Sequence, residues 1–191
     1  MKIGIDLDGV VFDSEKEYRI YAELYDILDL KRNSKIKNNE VRFQNRFKWT
    51  EEESINFLKK YHMKIVTESN LMPGAETVLK LLKEEGHELI IITARGGFTK
   101  DTIEETMKRL NALNMDIFDK YYWQTENKDE ICKKENIDIM IDDSHEKCTS
   151  ISNAGIDTIY LKDSPSYELK DNEHLKTLYN WGEIYRYIKE K

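Results

Sequence analysis

The chain alternates between short β-branched runs and stretches whose apolar residues recur at helical spacing. Lys2 to Leu7 is a compact apolar run that ends at Asp6-Leu7-Asp8-Gly9. Glu88 to Thr93 is a continuous run of the kind buried on both faces of a parallel sheet. Lys120 to Gln124, Ile137 to Ile141 and Thr158 to Leu161 read as further strands. Among the helices, Ala75 to Glu85 places Val78, Leu79, Leu81 and Leu82 on one face, with Pro73 ahead of it in a position a first turn tolerates and Gly86 as a stop. Thr99 to Leu113, Lys128 to Asn136 and His145 to Asn153, with Gly155 behind it, continue the alternation. Glu173 to Lys189 is expected to be one amphipathic terminal helix anchored in the core by Trp181. This order predicts an α/β fold: a three-layer α/β/α, Rossmann-like parallel sheet covered on both faces.

One segment departs from the alternation. From Ser14 to about Asn70 the chain is charged and aromatic, with Tyr18, Tyr21, Ala22, Leu24, Tyr25 and Leu28, then Ile55, Phe57, Leu58 and Tyr61, at helical spacing and no convincing strand. It reads as a helical cap over residues 14–70, inserted after the first strand into a core made of residues 1–13 and 71–191. With only two prolines and no Gly/Ser linker, its hinges are expected near residues 13 to 15 and 70 to 73.

Composition narrows the function classes. At 191 residues the chain has room for one domain of ordinary size plus an insertion. Its 35% charged and 10% aromatic residues describe a globular protein with a charged surface. A net charge of −7 argues against nucleic acid or an anionic membrane as partner, while leaving room for one small phosphate. Cys132 and Cys148 have neither metal-site spacing nor a disulfide framework. No stretch approaches the length of a membrane span, and acids interrupt the first apolar run, so a cytoplasmic location is expected. No feature specifies an oligomeric state.

The strand ends supply the chemistry. In an open parallel sheet, residues following the strands project into the crevice at the carboxyl edge. Four segments meet that rule here: Asp6 and Asp8; Thr93-Ala94-Arg95; Lys128 at a helix start; and the pair Asp142-Asp143. Four carboxylates in one crevice repel one another unless a cation offsets them, and hard oxygen ligands point to Mg²⁺. An ionised Asp can attack phosphorus to form an aspartyl-phosphate, and a second carboxyl can move the protons. Strand alternation sets Asp6 and Asp8 on the same side, with Leu7 turned into the core. Thr93 and Lys128 could hold phosphoryl oxygens.

This order of motifs resembles the haloacid dehalogenase superfamily of phosphotransferases over nearly the whole chain. The resemblance implies that Asp6 is the nucleophile, that Asp8 is the acid/base and lends its backbone carbonyl to Mg²⁺, and that Thr93 and Lys128 bind phosphate. It aligns Asp143 with the usual metal ligand and Asp142 with its neighbour. An insertion after the first motif is, in that superfamily, a small cap that closes over compact substrates. Asp8 to Asp13, Leu71 to Ala75, Thr125 to Lys128 and Asn180 to Ile184 also look like the C-type 5′-nucleotidases. That likeness implies a nucleoside monophosphate as substrate, with a sugar or other metabolite phosphate as the alternative. Where such nucleotidases commonly carry an aromatic ring after the last acid of the first motif, this chain has Ser14. A base would then have to stack on Phe43, Phe47 or Trp49, whose spacing fits cap core better than a base platform.

Simpler readings compete at several positions. Lys133 and Lys134 are alternatives to Lys128, and Arg95 with the glycines after it, Gly96 and Gly97, could bind phosphate through backbone N–H groups or simply make a tight turn. Of the four histidines, only His145 lies beside the acidic pair. Non-enzymatic receiver domains also combine acids, Mg²⁺, a Thr and a Lys, but they begin with the acidic pair and lack an insertion after the first strand. A degenerate, phosphate-binding relative would lack one of the catalytic residue types, all of which are present.

Overall fold

The structure is a computed structural model that describes residues 1–34, 37, 40, 42–162 and 167–191. Six parallel strands form one sheet in the order β3-β2-β1-β4-β5-β6. They are β1 (Lys2–Ile5), β2 (Glu88–Ile92), β3 (Lys120–Tyr122), β4 (Ile139–Asp142), β5 (Asp157–Leu161) and β6 (Leu175–Leu178). The helices are α1 (Ser14–Leu24), which runs into a π-helical turn at Tyr25–Asp29, α2 (Phe43–Phe47), α3 (Glu51–Glu68), α4 (Ala75–Glu84), α5 (Thr102–Ala112), α6 (Lys128–Glu135), α7 (His145–Asn153) and α8 (Trp181–Lys189).

Side-chain alternation along the strands divides the core into two faces. Ile3, Ile5, Leu89, Ile91, Ile139, Ile141, Ile159 and Leu161 pack with residues of α4, α5 and α8. Ile90, Ile92 and Met140 face the other way, onto Cys132 of α6 and Ile151 of α7. Because both faces are covered, these strands need no polar alternation, and their uniform apolar character follows.

The terminal segment differs from the expected single helix. Leu175–Leu178 is a strand paired with β5, and only Trp181–Lys189 is helical. Leu175 and Leu178 are both buried three residues apart, which imitates helical periodicity. The true helix start is marked by Asn180, whose side chain accepts from Glu183 N at 2.9 Å while Glu183 accepts from Tyr179 N. Trp181 is 1% exposed and donates its indole N–H to Val10 O at 3.0 Å, tying the tail to the turn after β1. Pro73 also lies outside its helix, which starts at Ala75.

The helical excursion between β1 and α4 builds a separate aromatic cluster: Ala22, Tyr25, Phe47, Trp49 and Phe57, with Phe43 packed at its edge. Trp49 donates to Asp26 Oδ1 at 2.8 Å. Thr50 and Glu53 form a reciprocal capping box at the start of α3. Where the excursion returns, Asp13 N donates to Asn70 O at 2.9 Å and Met72 N to Val11 O at 2.8 Å. Arg109 of α5 donates to the carbonyls of Ser69 (3.0 Å) and Glu68 (3.1 Å), satisfying C-terminal groups of α3 that its own ladder leaves open.

Candidate active site

Asp6 is the first residue past β1 and Asp142 the last of β4, and these strands are neighbours at the sheet centre. The ladder extends one step beyond the Ile5–Ile141 pair, because Asp6 N donates to Ile141 O at 3.0 Å. Lys128, the first residue of α6, reaches between the two acids. Its Nζ lies 2.6 Å from Asp142 Oδ2 and 2.9 Å from Asp6 Oδ1, and its side chain is 2% exposed. Burial alone would lower the Lys128 ammonium, but Asp142 and Asp6 outweigh it and raise it, so it stays charged. Asp142 is further committed on its other oxygen, Oδ1, which accepts from Ser144 N at 2.8 Å.

Asp6 sits differently. Its Oδ1 is buried, with the Lys128 ammonium 2.9 Å away. Burial, reinforced by Asp142 and Asp8 and opposed by Lys128, pushes its carboxyl up to about 6. Asp143 is raised well above the usual carboxylate range by burial and by Glu15, Asp142 and Asp6. One oxygen each from Asp6, Asp142 and Asp143 lies within 4.8 Å of the others. Gly9 makes room for this approach: at φ +69°, a Cβ added there would stand 2.0 Å from Asp143 Oδ2. A set of converging hard carboxylate oxygens fits a divalent cation such as Mg²⁺.

Asp8 faces another environment. Its carboxylate accepts two bonds from Arg95, Nε to Oδ2 at 3.0 Å and Nη2 to Oδ1 at 2.5 Å, and one from Ser14 Oγ at 2.6 Å. Burial would raise the Asp8 carboxyl, but the Arg95 guanidinium, with Ser14 assisting, overcomes it and holds Asp8 below its usual range. Thr93 is buried at the end of β2, and its Oγ1 accepts from Arg95 N at 3.2 Å, which leaves the hydroxyl proton for another acceptor. Ala94 is exposed between them.

The sequence-predicted residues therefore gather at one edge of the sheet in two groups. Asp6, Lys128, Asp142 and Asp143 form one, and Asp8, Arg95 and Thr93 the other. Sequence reasoning missed the side-chain fork of Arg95, expecting only backbone N–H groups there, and gave Ser14 no partner. It also missed a polar seam between the helical excursion and the core. Tyr18 OH lies 2.7 Å from His62 Nδ1, and His62 Nε2 lies 3.0 Å from Thr102 Oγ1. Phe47 and Trp49 are buried in the aromatic cluster, at 1% and 4% exposure, which leaves neither ring free as a platform. His145 packs against Tyr167, with ring centroids 4.3 Å apart and the planes tilted by 41°. Both line a cavity of about 420 Å³ that also touches Arg42, Asn45 and Ser144. Among the described residues, no helix is long and apolar enough to cross a membrane.

No protein-family model and no curated protein matches the chain. Solved structures do. A structure described as a predicted phosphatase from Clostridium acetobutylicum superposes with a TM-score of 0.71 at 19% identity, covering 100% of this chain and 98% of that one. A haloacid dehalogenase-like family hydrolase from Streptococcus pneumoniae gives 0.69 at 17% identity, covering 98% and 97%. A predicted phosphoglycolate phosphatase from Haemophilus somnus gives 0.66 at 18%, covering 97% and 96%. The six-stranded parallel sheet with its helices is thus the fold of the haloacid dehalogenase-like hydrolases.

Proposed function

We propose that the protein is a Mg²⁺-dependent phosphomonoester hydrolase with Asp6 as nucleophile and Asp8 as general acid/base. In this reading residues 14–70 are a cap over a core of residues 1–13 and 71–191. The observation that carries it is the convergence of carboxylate oxygens from Asp6, Asp142 and Asp143 within 4.8 Å of one another beside the buried Lys128 ammonium. Asp6 and Asp143, with the backbone carbonyl of Asp8, would hold the ion, because Asp142 is already engaged by Lys128 and Ser144 N. Bound there, Mg²⁺ would offset the charge of the carboxylates and of the phosphoryl oxygens.

The chain's own residues then divide the work. Asp8, which Arg95 holds ionised in the resting site, first takes up a proton from solvent; an Asp6 oxygen then attacks phosphorus as the bond to the leaving oxygen breaks, and Asp8 gives that oxygen its proton. Asp8, now ionised, takes a proton from the water that attacks the aspartyl-phosphate, which releases inorganic phosphate and restores Asp6. Lys128 and the Thr93 hydroxyl donate to the non-bridging oxygens, and the backbone N–H of Ala94 can add a donor. Asp6→Asn should abolish turnover of phosphate esters in a protein that keeps its circular dichroism; retained activity would refute the covalent route.

The substrate is a small phosphorylated metabolite. The motif likeness to nucleotidases supports a nucleoside monophosphate. The burial of Phe47 and Trp49, which leaves the half-buried Phe43 of the three rings, favours a substrate without a stacked base, as does the likeness to a structure described as a predicted phosphoglycolate phosphatase. A panel of nucleoside, sugar and carboxylic acid monophosphates separates the two, since a sharp preference among bases would restore the nucleotidase reading.

A further inference from the structure

The Arg95 side chain is poorly placed to bind substrate. It is 2% exposed, and each of its three nitrogens already has a protein partner: Nε and Nη2 on Asp8, and Nη1 on Thr106 Oγ1 at 3.2 Å. The guanidinium also lies over the Phe12 ring, 4.9 Å from its centroid. Phe12 and Asp8 belong to the turn after β1, whereas Arg95 and Thr106 belong to the β2–α5 segment. The fork therefore joins two parts of the site that are far apart in sequence.

A two-pronged guanidinium does more than neutralise a carboxylate. It fixes the carboxylate plane, which a point-charge ammonium cannot do. Ser14 Oγ supplies a third donor at 2.6 Å on Oδ1, so both angular freedoms of the Asp8 side chain are restrained. Thr106 is in turn held by its hydroxyl donating to Thr102 O at 2.7 Å, and Thr102 carries the contact to His62. Asp8 is thus oriented through a continuous chain of hydrogen bonds that ends on α3. General acid–base catalysis depends on such orientation, because the carboxyl must lie within hydrogen-bond reach of the oxygen it exchanges a proton with; the fork orients the ionised form, which takes a proton from the attacking water and must itself gain one before it serves as acid.

We propose that Arg95 is a positioning residue that orients the Asp8 carboxyl for proton transfer and does not bind the substrate phosphate. This assignment rests on the phosphomonoesterase reading above. It distinguishes leaving groups: an alkyl phosphate needs a proton as its oxygen departs, whereas p-nitrophenolate leaves without one.

The test compares wild type, Arg95→Lys and Arg95→Met with Mg²⁺ on p-nitrophenyl phosphate and on glycerol 2-phosphate. In both variants glycerol phosphate turnover should fall by about 10²-fold or more, the scale of general acid–base catalysis, with KM little changed. The pre-steady-state burst of p-nitrophenolate, which reports attack by Asp6 alone, should keep a rate within about tenfold of wild type. Steady turnover after the burst should be slow, because water activation still needs Asp8. Arg95→Lys keeps a charge in the pocket, so it tests geometry even if Arg95→Met does not fold. Parallel losses in burst and glycerol phosphate turnover would overturn the assignment, as would a raised KM with kcat intact, wild-type behaviour in both variants, or failure of both to fold. A wild type inert toward both esters would overturn the phosphomonoesterase reading and this assignment with it, a result distinct from any failure confined to the variants.

Discussion

Asp6 and Asp8 are the same residue type two positions apart, yet they occupy opposite environments. On the Asp6 side, one ammonium is shared between two carboxylates, Asp6 and Asp142, and Asp143 converges on the same pair. On the Asp8 side, one guanidinium serves a single carboxylate through two bonds, and Ser14 adds a third. The first arrangement has an excess of negative charge and pushes Asp6 up to about 6, chiefly through burial; the second is balanced and holds Asp8 down. The difference teaches that proximity in sequence does not set protonation. What sets it is which cation each strand-end position meets, and in what geometry.

The largest expected effect comes from removing the shared ammonium. Lys128→Met leaves Asp142 and Asp6 buried without their counter-charge and should cost about 3–5 kcal/mol in urea unfolding, the usual penalty for breaking a buried ion pair from one side. A loss below about 1 kcal/mol would show that the acids do not depend on it. Restoring charge balance from the other direction comes next. Mg²⁺ at about a hundred times its dissociation constant should stabilise the wild type by about 2.7 kcal/mol, read as a raised Tm, and Asp143→Asn should remove most of that gain. An equal gain in the variant would take Asp143 out of the cation site.

Gly9→Ala tests the close approach between the two sides. Its Cβ would overlap Asp143 Oδ2, and its φ of +69° disfavours any other residue, so a loss of about 2 kcal/mol is expected along with a weakened Mg²⁺ response. The smallest effect concerns His62, which borders the Asp8 side. It faces the Tyr18 and Thr102 hydroxyls and the Phe98 ring, and it feels the charges of Asp8 and Arg95. Burial lowers its imidazole below the ordinary 6.5, Asp8 partly opposes this, and Arg95 adds to it. A base with a depressed folded-state pKa gives stability that is complete above its unfolded value and is lost as pH falls below about 6.5 through the folded value. Tm should therefore drop less steeply below pH 6.5 in His62→Gln than in wild type; an unchanged acid limb would remove His62 from that balance.

Much of the fold was legible because apolar runs report burial directly. Glu88 to Thr93 and Ile137 to Ile141 could only be interior strands, and observed β2 and β4 differ from them by a residue or two at the ends. Leu175 and Leu178 misled because a three-residue spacing between two buried positions does not distinguish a short edge strand from a helix turn; the Asn180–Glu183 cap was the better signal. In the helical excursion, aromatic spacing pointed to a packed cluster, which the burial of Phe47, Trp49 and Phe57 bears out. At the site, residue types were legible but partners were not. Ser14 read as a departure from a pattern, whereas its hydroxyl reaches Asp8.

The sequence by itself determined the alternation of strands and helices and the set of acidic, hydroxyl and basic residues at the strand ends, because periodicity and local turn chemistry are encoded within a few neighbouring residues. Only the tertiary structure decided that Lys128 bridges Asp6 and Asp142, that Arg95 grips Asp8, and that Asp143 lies against Gly9. Those pairings join residues 14 to 134 positions apart, and their strength depends on burial and angle, neither of which a linear pattern contains.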